Sequence, residues 1–97
     1  MPNIKTLERK RFSILTDDLT KCYVCPKPKL HINEVYEGAK RIASMKWGCC
    51  IPLCFGCHKR FHNDRQFALK LKKECQKKFI KVYPDTDFIS IFHRNYL

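Results

Sequence analysis

Two Cys-x-x-Cys pairs constrain the fold of this chain more than any other feature. Cys22 and Cys25 form the first pair, and Cys54 and Cys57 form the second. Each pair wraps two sulfurs around one ion, and pairs from distant stretches can converge on a closed tetrahedral site. The spacing therefore predicts one structural Zn²⁺ ion held by four thiolates.

Two histidines follow the second pair directly. His58 adjoins Cys57, and His62 comes four residues later. If Cys57 opens a helix, imidazoles at positions i and i+4 lie one turn apart on the same face, which suits joint binding of one cation. The sequence therefore predicts a second metal site at His58 and His62, with catalysis as one use of it.

The length of the chain limits it to one domain. A chain of 97 residues buries only a modest core, so a structural metal is a plausible source of stability. Seven cysteines would suggest disulfides in a secreted protein, but the opening residues are too charged for a signal segment and the paired spacing favours metal. No apolar run reaches the roughly 20 residues that span a bilayer. We therefore expect a soluble, reduced, cytosolic protein.

The charge of the chain is strongly positive. Lysine and arginine total 20 against 9 acidic residues, which gives a net charge of +11. Such a balance on a short chain predicts a polyanionic partner, with nucleic acid as the default. A membrane surface is a weaker alternative, because the basic residues are spread along the chain. A purely solubilising role for the lysines also stays open.

The hydrophobic pattern predicts three short strands and a helix in the first two thirds of the chain. Residues 12–15 favour a short strand within a basic N-terminal segment. Alternation over 29–36 predicts another strand, ended by the glutamate and glycine that follow. Residues 49–53 predict a further short strand that leads into the second Cys-x-x-Cys pair, and residues 55–62 predict the metal-binding helix.

A long amphipathic helix is predicted from Arg65 onward. Its apolar stripe recurs every four residues. The stripe consists of Phe67, Leu71, Cys75 and Phe79, widened by Ala68 and Ile80. Asn63 and Asp64 are N-cap candidates, and Pro84 should end the helix. The lysine-rich opposite face is either a phosphate-facing surface or simply solvated. The aromatic residues of the tail, 85–97, favour a short helix packed on the core.

The order of these motifs resembles that of the HNH endonucleases. A Cys-x-x-Cys pair, a strand with His or Asn, a glycine-containing loop and the run PLCxxCHxxxH precede a helix. The chain looks more specifically like the small HNH proteins of bacteriophages and prophages, over nearly its whole length. Further segments that carry this likeness are Phe12-Ser13-Ile14, Cys22-Tyr23-Val24-Cys25, Glu34-Val35-Tyr36-Glu37-Gly38, Pro52-Leu53-Cys54 and Arg94-Asn95-Tyr96-Leu97.

The resemblance implies an α+β fold. Its core would be a small zinc-stabilised ββα-metal unit, the His-Me finger, with an additional C-terminal amphipathic helix. We expect a single HNH-like domain over 1–97, in which 1–21 is the basic N-terminal segment, 22–63 the zinc-stapled core and 64–97 the helical extension. The resemblance also implies a phage or prophage origin and a place in the bacterial cytoplasm.

The activity implied by the resemblance is metal-dependent cleavage or nicking of DNA. His58 and His62 match the metal-binding pair of the family and would hold Mg²⁺, Mn²⁺ or another divalent cation. Such a cation neutralises charge on the transition state, while a general base deprotonates the attacking water. DNA is then the partner, and a homodimer would address two strands.

The first strand departs from the family pattern. Asn33 stands where relatives carry a histidine, although its carbonyl oxygen suits a hard cation. Glu34 can act as base or ligand, and His31 lies on the same strand face as Asn33. The catalytic candidates are therefore Glu34, His31 and Asn33. The middle asparagine of the HNH pattern has no clear counterpart.

Two classes of function remain open. One is the active HNH nuclease. The other is a degenerate zinc module that binds DNA or an acidic protein, such as a host defence factor, without cutting. Among the remaining cysteines, Cys75 is predicted to be a core residue, whereas Cys49 or Cys50 can replace a zinc ligand. His93 carries no functional prediction.

Overall fold

The fold combines five α-helices with one small sheet in the part of the chain that the computed structural model describes, residues 4–97. Residues 1–3 of the predicted basic segment lie outside that range. The elements in chain order are α1 (Ile4–Arg9), β1 (His31–Glu34), a 3₁₀ turn (Gly38–Lys40), α2 (Arg41–Trp47), β2 (Cys50–Leu53), α3 (Phe55–Asn63), α4 (Arg65–Val82) and α5 (Phe88–Phe92). The chain is thus a small α+β protein, as predicted.

The sheet has two antiparallel strands. His31 of β1 pairs with Leu53 of β2, and Asn33 pairs with Ile51. Every residue of β2 is buried, and Pro52 is tolerated there because a two-stranded sheet consists only of edge strands. The strands predicted over 29–36 and 49–53 are confirmed, with shorter bounds than the pattern indicated.

The prediction of a strand over 12–15 is wrong. The hydroxyl of Ser13 accepts hydrogen bonds from the backbone N–H groups of Leu15 and Thr16, at 3.0 Å and 3.3 Å, and turns the chain. The segment is tied instead to residue 48, just before the second strand, because the N–H of Ile14 donates to the carbonyl oxygen of Gly48 at 2.9 Å. Helix α1 precedes this turn and was not predicted.

Helix α2 was not predicted, and it ends at a glycine that the structure requires. Gly48 has a φ of 75°, in the left-handed region that favours glycine at a helix end. A Cβ atom at this position would lie 2.4 Å from Cε2 of Phe12. The ring of Phe12 therefore packs directly against Gly48.

The two long helices follow the predicted pattern. Asp64 separates α3 from α4 and caps α4, since its carboxylate accepts the N–H groups of Gln66 and Phe67 at 3.1 Å. Helix α4 ends at Val82, two residues before Pro84. Ile80, however, is 48 % exposed and does not belong to the apolar stripe. It follows Leu71 by nine residues, a rotation of about 180° around the helix.

The core is an aromatic cluster beneath α4. Phe79 is fully buried, and its ring centroid lies 5.3 Å from that of Phe88. Tyr36, just after β1, packs 4.6 Å from Phe92 of α5. The predicted short tail helix and its packing on the core are thus confirmed. Within residues 4–97, no helix combines the length and apolar character of a membrane span.

Candidate metal centres

The four predicted thiolate ligands converge. The Sγ atoms of Cys22, Cys25, Cys54 and Cys57, here called the thiol cluster, all lie within 4.8 Å of one another. Cys25 Sγ is 3.5 Å from Cys54 Sγ and 3.9 Å from Cys57 Sγ. Two sulfurs bound to one tetrahedral zinc ion at about 2.3 Å lie about 3.8 Å apart. The thiol cluster therefore has the size and donor set that a metal ion such as zinc requires.

Local backbone structure presents each half of the thiol cluster. The N–H of Cys22 donates to the carbonyl oxygen of Lys27 at 2.9 Å and closes the first knuckle. Tyr23 ties that knuckle to β2 through a 2.7 Å hydrogen bond from its N–H to the Pro52 carbonyl oxygen. Cys54 is the N-cap of α3, so Cys57 lies in the first turn of that helix. The first Cys-x-x-Cys knuckle and the start of α3 thus meet at the end of β2.

Electrostatics inside the thiol cluster also favour a cation. Hydrogen bonding from the backbone N–H of Cys57 lowers the pKa of Cys54 to about 6. Burial raises the pKa of Cys57, and contact with the other thiols raises it further. The thiolate form is therefore stabilised at one cysteine and opposed at its neighbour. A bound cation removes this conflict, because thiolates ligate metals in the deprotonated form.

The other cysteines lie outside the thiol cluster. Cys49, Cys50 and Cys75 are each fully buried. Burial raises the pKa of Cys50 to about 12, which keeps it a neutral thiol. In the described part of the chain, only the thiol cluster gathers three or more metal-ligating atoms. Neither Cys49 nor Cys50 replaces a ligand, and the core assignment of Cys75 is confirmed.

The two helix histidines lie side by side, as their spacing predicted. Nε2 of His58 is 3.1 Å from Nε2 of His62 on the exposed face of α3. Two imidazole nitrogens that share one metal at about 2.0–2.1 Å are separated by about 2.8–3.4 Å. The pair thus has a suitable spacing for one cation. A cation bound there would have two protein ligands and further positions open.

His31 joins this pair from the strand. Its ring centroid lies 4.8 Å from that of His58, so β1 and α3 together bring three histidines into one group, here called the histidine site. Burial lowers the pKa of His58, and the neighbouring charges of His62 and His31 lower it further. These effects favour the neutral form of His58, whose ring offers a lone pair.

Glu37 belongs to the same surface and was not predicted as a site residue. Its Oε2 lies 3.4 Å from Nδ1 of His62, on the far side of the ring from His58. A carboxylate at Nδ1 favours the tautomer that leaves Nε2 free to accept a metal. The only sequence signal was its position at the end of the predicted strand.

The other two catalytic candidates are placed differently. Asn33 is 6 % exposed, and its Nδ2 has no hydrogen-bond partner among the described residues. Glu34 points to the opposite face of β1 from His31, where Arg11 and Arg41 both donate to its Oε1. The structure does not bring Glu34 to the histidines. A catalytic role for Asn33 or Glu34 stays a prediction.

No protein-family model, no curated protein and no solved structure matches this chain. The likeness to the HNH proteins therefore rests on the sequence motifs alone.

Proposed function

We propose that this protein is a metal-dependent nuclease of the HNH type that cuts or nicks DNA. Zn²⁺ would occupy the thiol cluster as a structural ion. His58 and His62 would hold a second divalent cation, such as Mg²⁺ or Mn²⁺. The observation that carries the proposal is the contact of His31 with His58, whose Nε2 lies 3.1 Å from Nε2 of His62.

His31 is the best-placed general base. It is exposed and adjoins His58, whereas Asn33 is buried and Glu34 is engaged by two arginines. A neutral imidazole at His31 would take a proton from the attacking water. The bound cation would stabilise negative charge on the cleaved phosphate. Glu37 would orient His62 through its Nδ1.

The charge of the protein suits this substrate. A net charge of +11 on 97 residues favours binding to a polyanion. Phosphate contacts from lysine and arginine carry no base information, so recognition would be weakly sequence-specific. Affinity would then fall steeply as salt is raised. A flat salt dependence would point instead to an acidic protein partner.

A second candidate function is binding without cleavage. The observation that favours it is the state of the first strand, where Asn33 is buried in place of the family's histidine. In that case, the zinc-stapled scaffold and its basic surface would bind DNA or an acidic protein. The histidine site would then have lost its catalytic activity.

A nicking assay on supercoiled plasmid with several divalent cations separates the two functions. Under the nuclease proposal, His62→Ala abolishes nicking, because it removes the cation while leaving the thiol cluster intact. Zinc content, fold and DNA affinity should stay close to wild type. His93→Asn is the matched control, since His93 is exposed and asparagine tolerates its left-handed backbone, with φ of 59°.

Absence of divalent-metal-dependent nicking in the wild type, on duplex, branched and single-stranded substrates alike, would refute the nuclease proposal. The binding module would then take its place. Nicking that survives His62→Ala would instead place the reaction somewhere other than the histidine site.

A further inference from the structure

A cleft of about 560 Å³ opens beside the histidine site. Glu37 and His62 line one end of it, and the rest lies between α4 and the C-terminal tail. Three cationic side chains line this space, here called the basic cleft. They are Arg65 and Lys72 of α4 and Arg94 of the tail.

These three cations have no ionic partners among the residues that the structure describes. Arg11, Arg41 and Arg60 each pair with a carboxylate, but Arg65, Lys72 and Arg94 do not. Glu37 is the one carboxylate on the wall of the cleft, and it faces His62. The basic cleft therefore presents an excess of positive charge that the protein itself does not neutralise.

A buried glutamine fixes the tail that completes the cleft. Gln76 is only 3 % exposed, although it lies in the apolar face of α4. Its Nε2 donates to Oδ1 of Asn95 at 2.9 Å, and its Oε1 accepts the N–H of Tyr96 at 2.7 Å. This two-point contact uses both ends of the amide. The tail is thus held in place before any ligand arrives, which lowers the entropic cost of binding.

Two of the three cations lie over the ring of Tyr96. The guanidinium carbon of Arg94 lies 5.0 Å from its centroid, and Nζ of Lys72 lies 5.8 Å away. Cation–π contacts of this kind orient a cation without neutralising its charge. Arg94 and Lys72 therefore remain available for a phosphate, in the same cleft that His62 lines.

The size of the cleft bears on which form of nucleic acid can enter it. Sites for drug-sized molecules measure about 300–1,000 Å³, so the basic cleft holds a nucleotide or two. A B-form duplex, whose major groove alone is about 12 Å wide, does not enter such a space. The cleft therefore favours an unpaired strand, which fits inside it, over a duplex, which would contact only its rim.

We propose that the basic cleft binds an unpaired segment of DNA next to the phosphate that the histidine site receives. The position of the cut phosphate rests on the proposed nuclease function, whereas the binding itself does not require cleavage. The preferred substrate would be single-stranded, frayed or branched DNA. Arg65, Lys72 and Arg94 would follow its backbone, as cationic grooves for single strands do.

The test is binding of a short fluorescent oligothymidylate, measured by anisotropy without added divalent cation. Arg94→Ala is compared with Arg9→Ala, and Lys72→Ala with Lys78→Ala, so that each pair loses the same charge. The control residues are exposed and lie outside the basic cleft. We expect each cleft variant to bind about tenfold more weakly than its control, the effect of losing one hydrogen bond to a charged group. The salt slope should fall by about 0.7 for each lost phosphate contact.

Equal losses in cleft and control variants would overturn the proposal, because binding would then be general electrostatics. It would also fail if a blunt duplex of equal length, or polyglutamate, displaced the oligonucleotide as well as unlabelled oligothymidylate does. Wild-type protein that binds the oligonucleotide through the cleft but cuts nothing would refute the nuclease function alone. Cation-dependent nicking with unchanged binding by Arg94→Ala and Lys72→Ala would refute the cleft alone.

Discussion

Helix α3 carries ligands of two different sites at adjacent positions. Cys57 belongs to the thiol cluster and His58 to the histidine site. The thiol cluster offers four protein ligands, which fill a tetrahedral ion completely. The two helix histidines offer two, so a cation bound there would keep positions for water and phosphate. The difference teaches that adjacent residues of one helix can belong to two separate clusters, according to how many other ligands converge on each.

Removing ligands of the thiol cluster should have the largest effect on the protein. Cys22→Ser combined with Cys54→Ser should unfold the protein, because structural zinc contributes about 10–16 kcal/mol in zinc-finger peptides. A domain of this size has a total stability of only about 5–15 kcal/mol. Circular dichroism should show loss of helix. Metal analysis should fall from about one zinc per chain to none.

Cys75→Ala is the control for that double variant. It removes an equally buried thiol that lies outside the thiol cluster. It should lower stability through a small cavity while leaving the zinc content unchanged. A normal fold in the double variant would show that metal binding at the thiol cluster does not stabilise the fold.

Within the histidine site, His31→Ala and Glu34→Gln should separate reaction from stability. His31→Ala should lower the nicking rate about 10²-fold or more, the usual loss when a general base is removed. Glu34→Gln should keep the rate and destabilise the fold by about 1–3 kcal/mol, since it weakens two charged hydrogen bonds at a carboxylate only 12 % exposed. Single-turnover nicking and urea denaturation measure the two effects. A folded Glu34→Gln protein without activity would assign the base to Glu34 instead.

The smallest effect should come from Glu37. Glu37→Gln should weaken the cation at the histidine site about tenfold, the lower end of losses for groups that orient a metal-binding histidine. Titrating nicking with Mn²⁺ measures this change. The zinc content of the thiol cluster should stay constant, because Glu37 touches His62 and no cysteine of the cluster. Loss of zinc in this variant would mean that the two sites are coupled.

Features set by short-range spacing were predictable from the sequence. The two Cys-x-x-Cys pairs, the i and i+4 histidines and the capping residue Asp64 each depend on a few neighbouring residues. The apolar stripe of α4 repeats with the helical period, so Phe67 and Phe79 were assigned correctly to the core. Local geometry alone was enough for these elements.

Features that depend on distant partners were missed. The segment 12–15 has strand-like composition, but the Ser13 hydroxyl stabilises a turn there. The carbonyl oxygen of Gly48, from another part of the chain, accepts the N–H of Ile14. Helix α2 has no strong apolar period, because its buried residues are Ser44 and Met45. The basic cleft needs α4 and the tail together, and no local pattern indicates that Gln76 joins them.

The thiol cluster and the sheet close almost the same stretch of chain. Cys25 meets Cys54 across the cluster, and His31 faces Leu53 across the strands. Closing a flexible loop costs entropy that grows slowly with its length, and a second closure within the same loop adds little. Metal capture at the thiol cluster would therefore bring β1 and β2 together, and strand pairing would in turn bring the thiolates together. A bound ion would then affect how fast the sheet forms as well as how long it lasts.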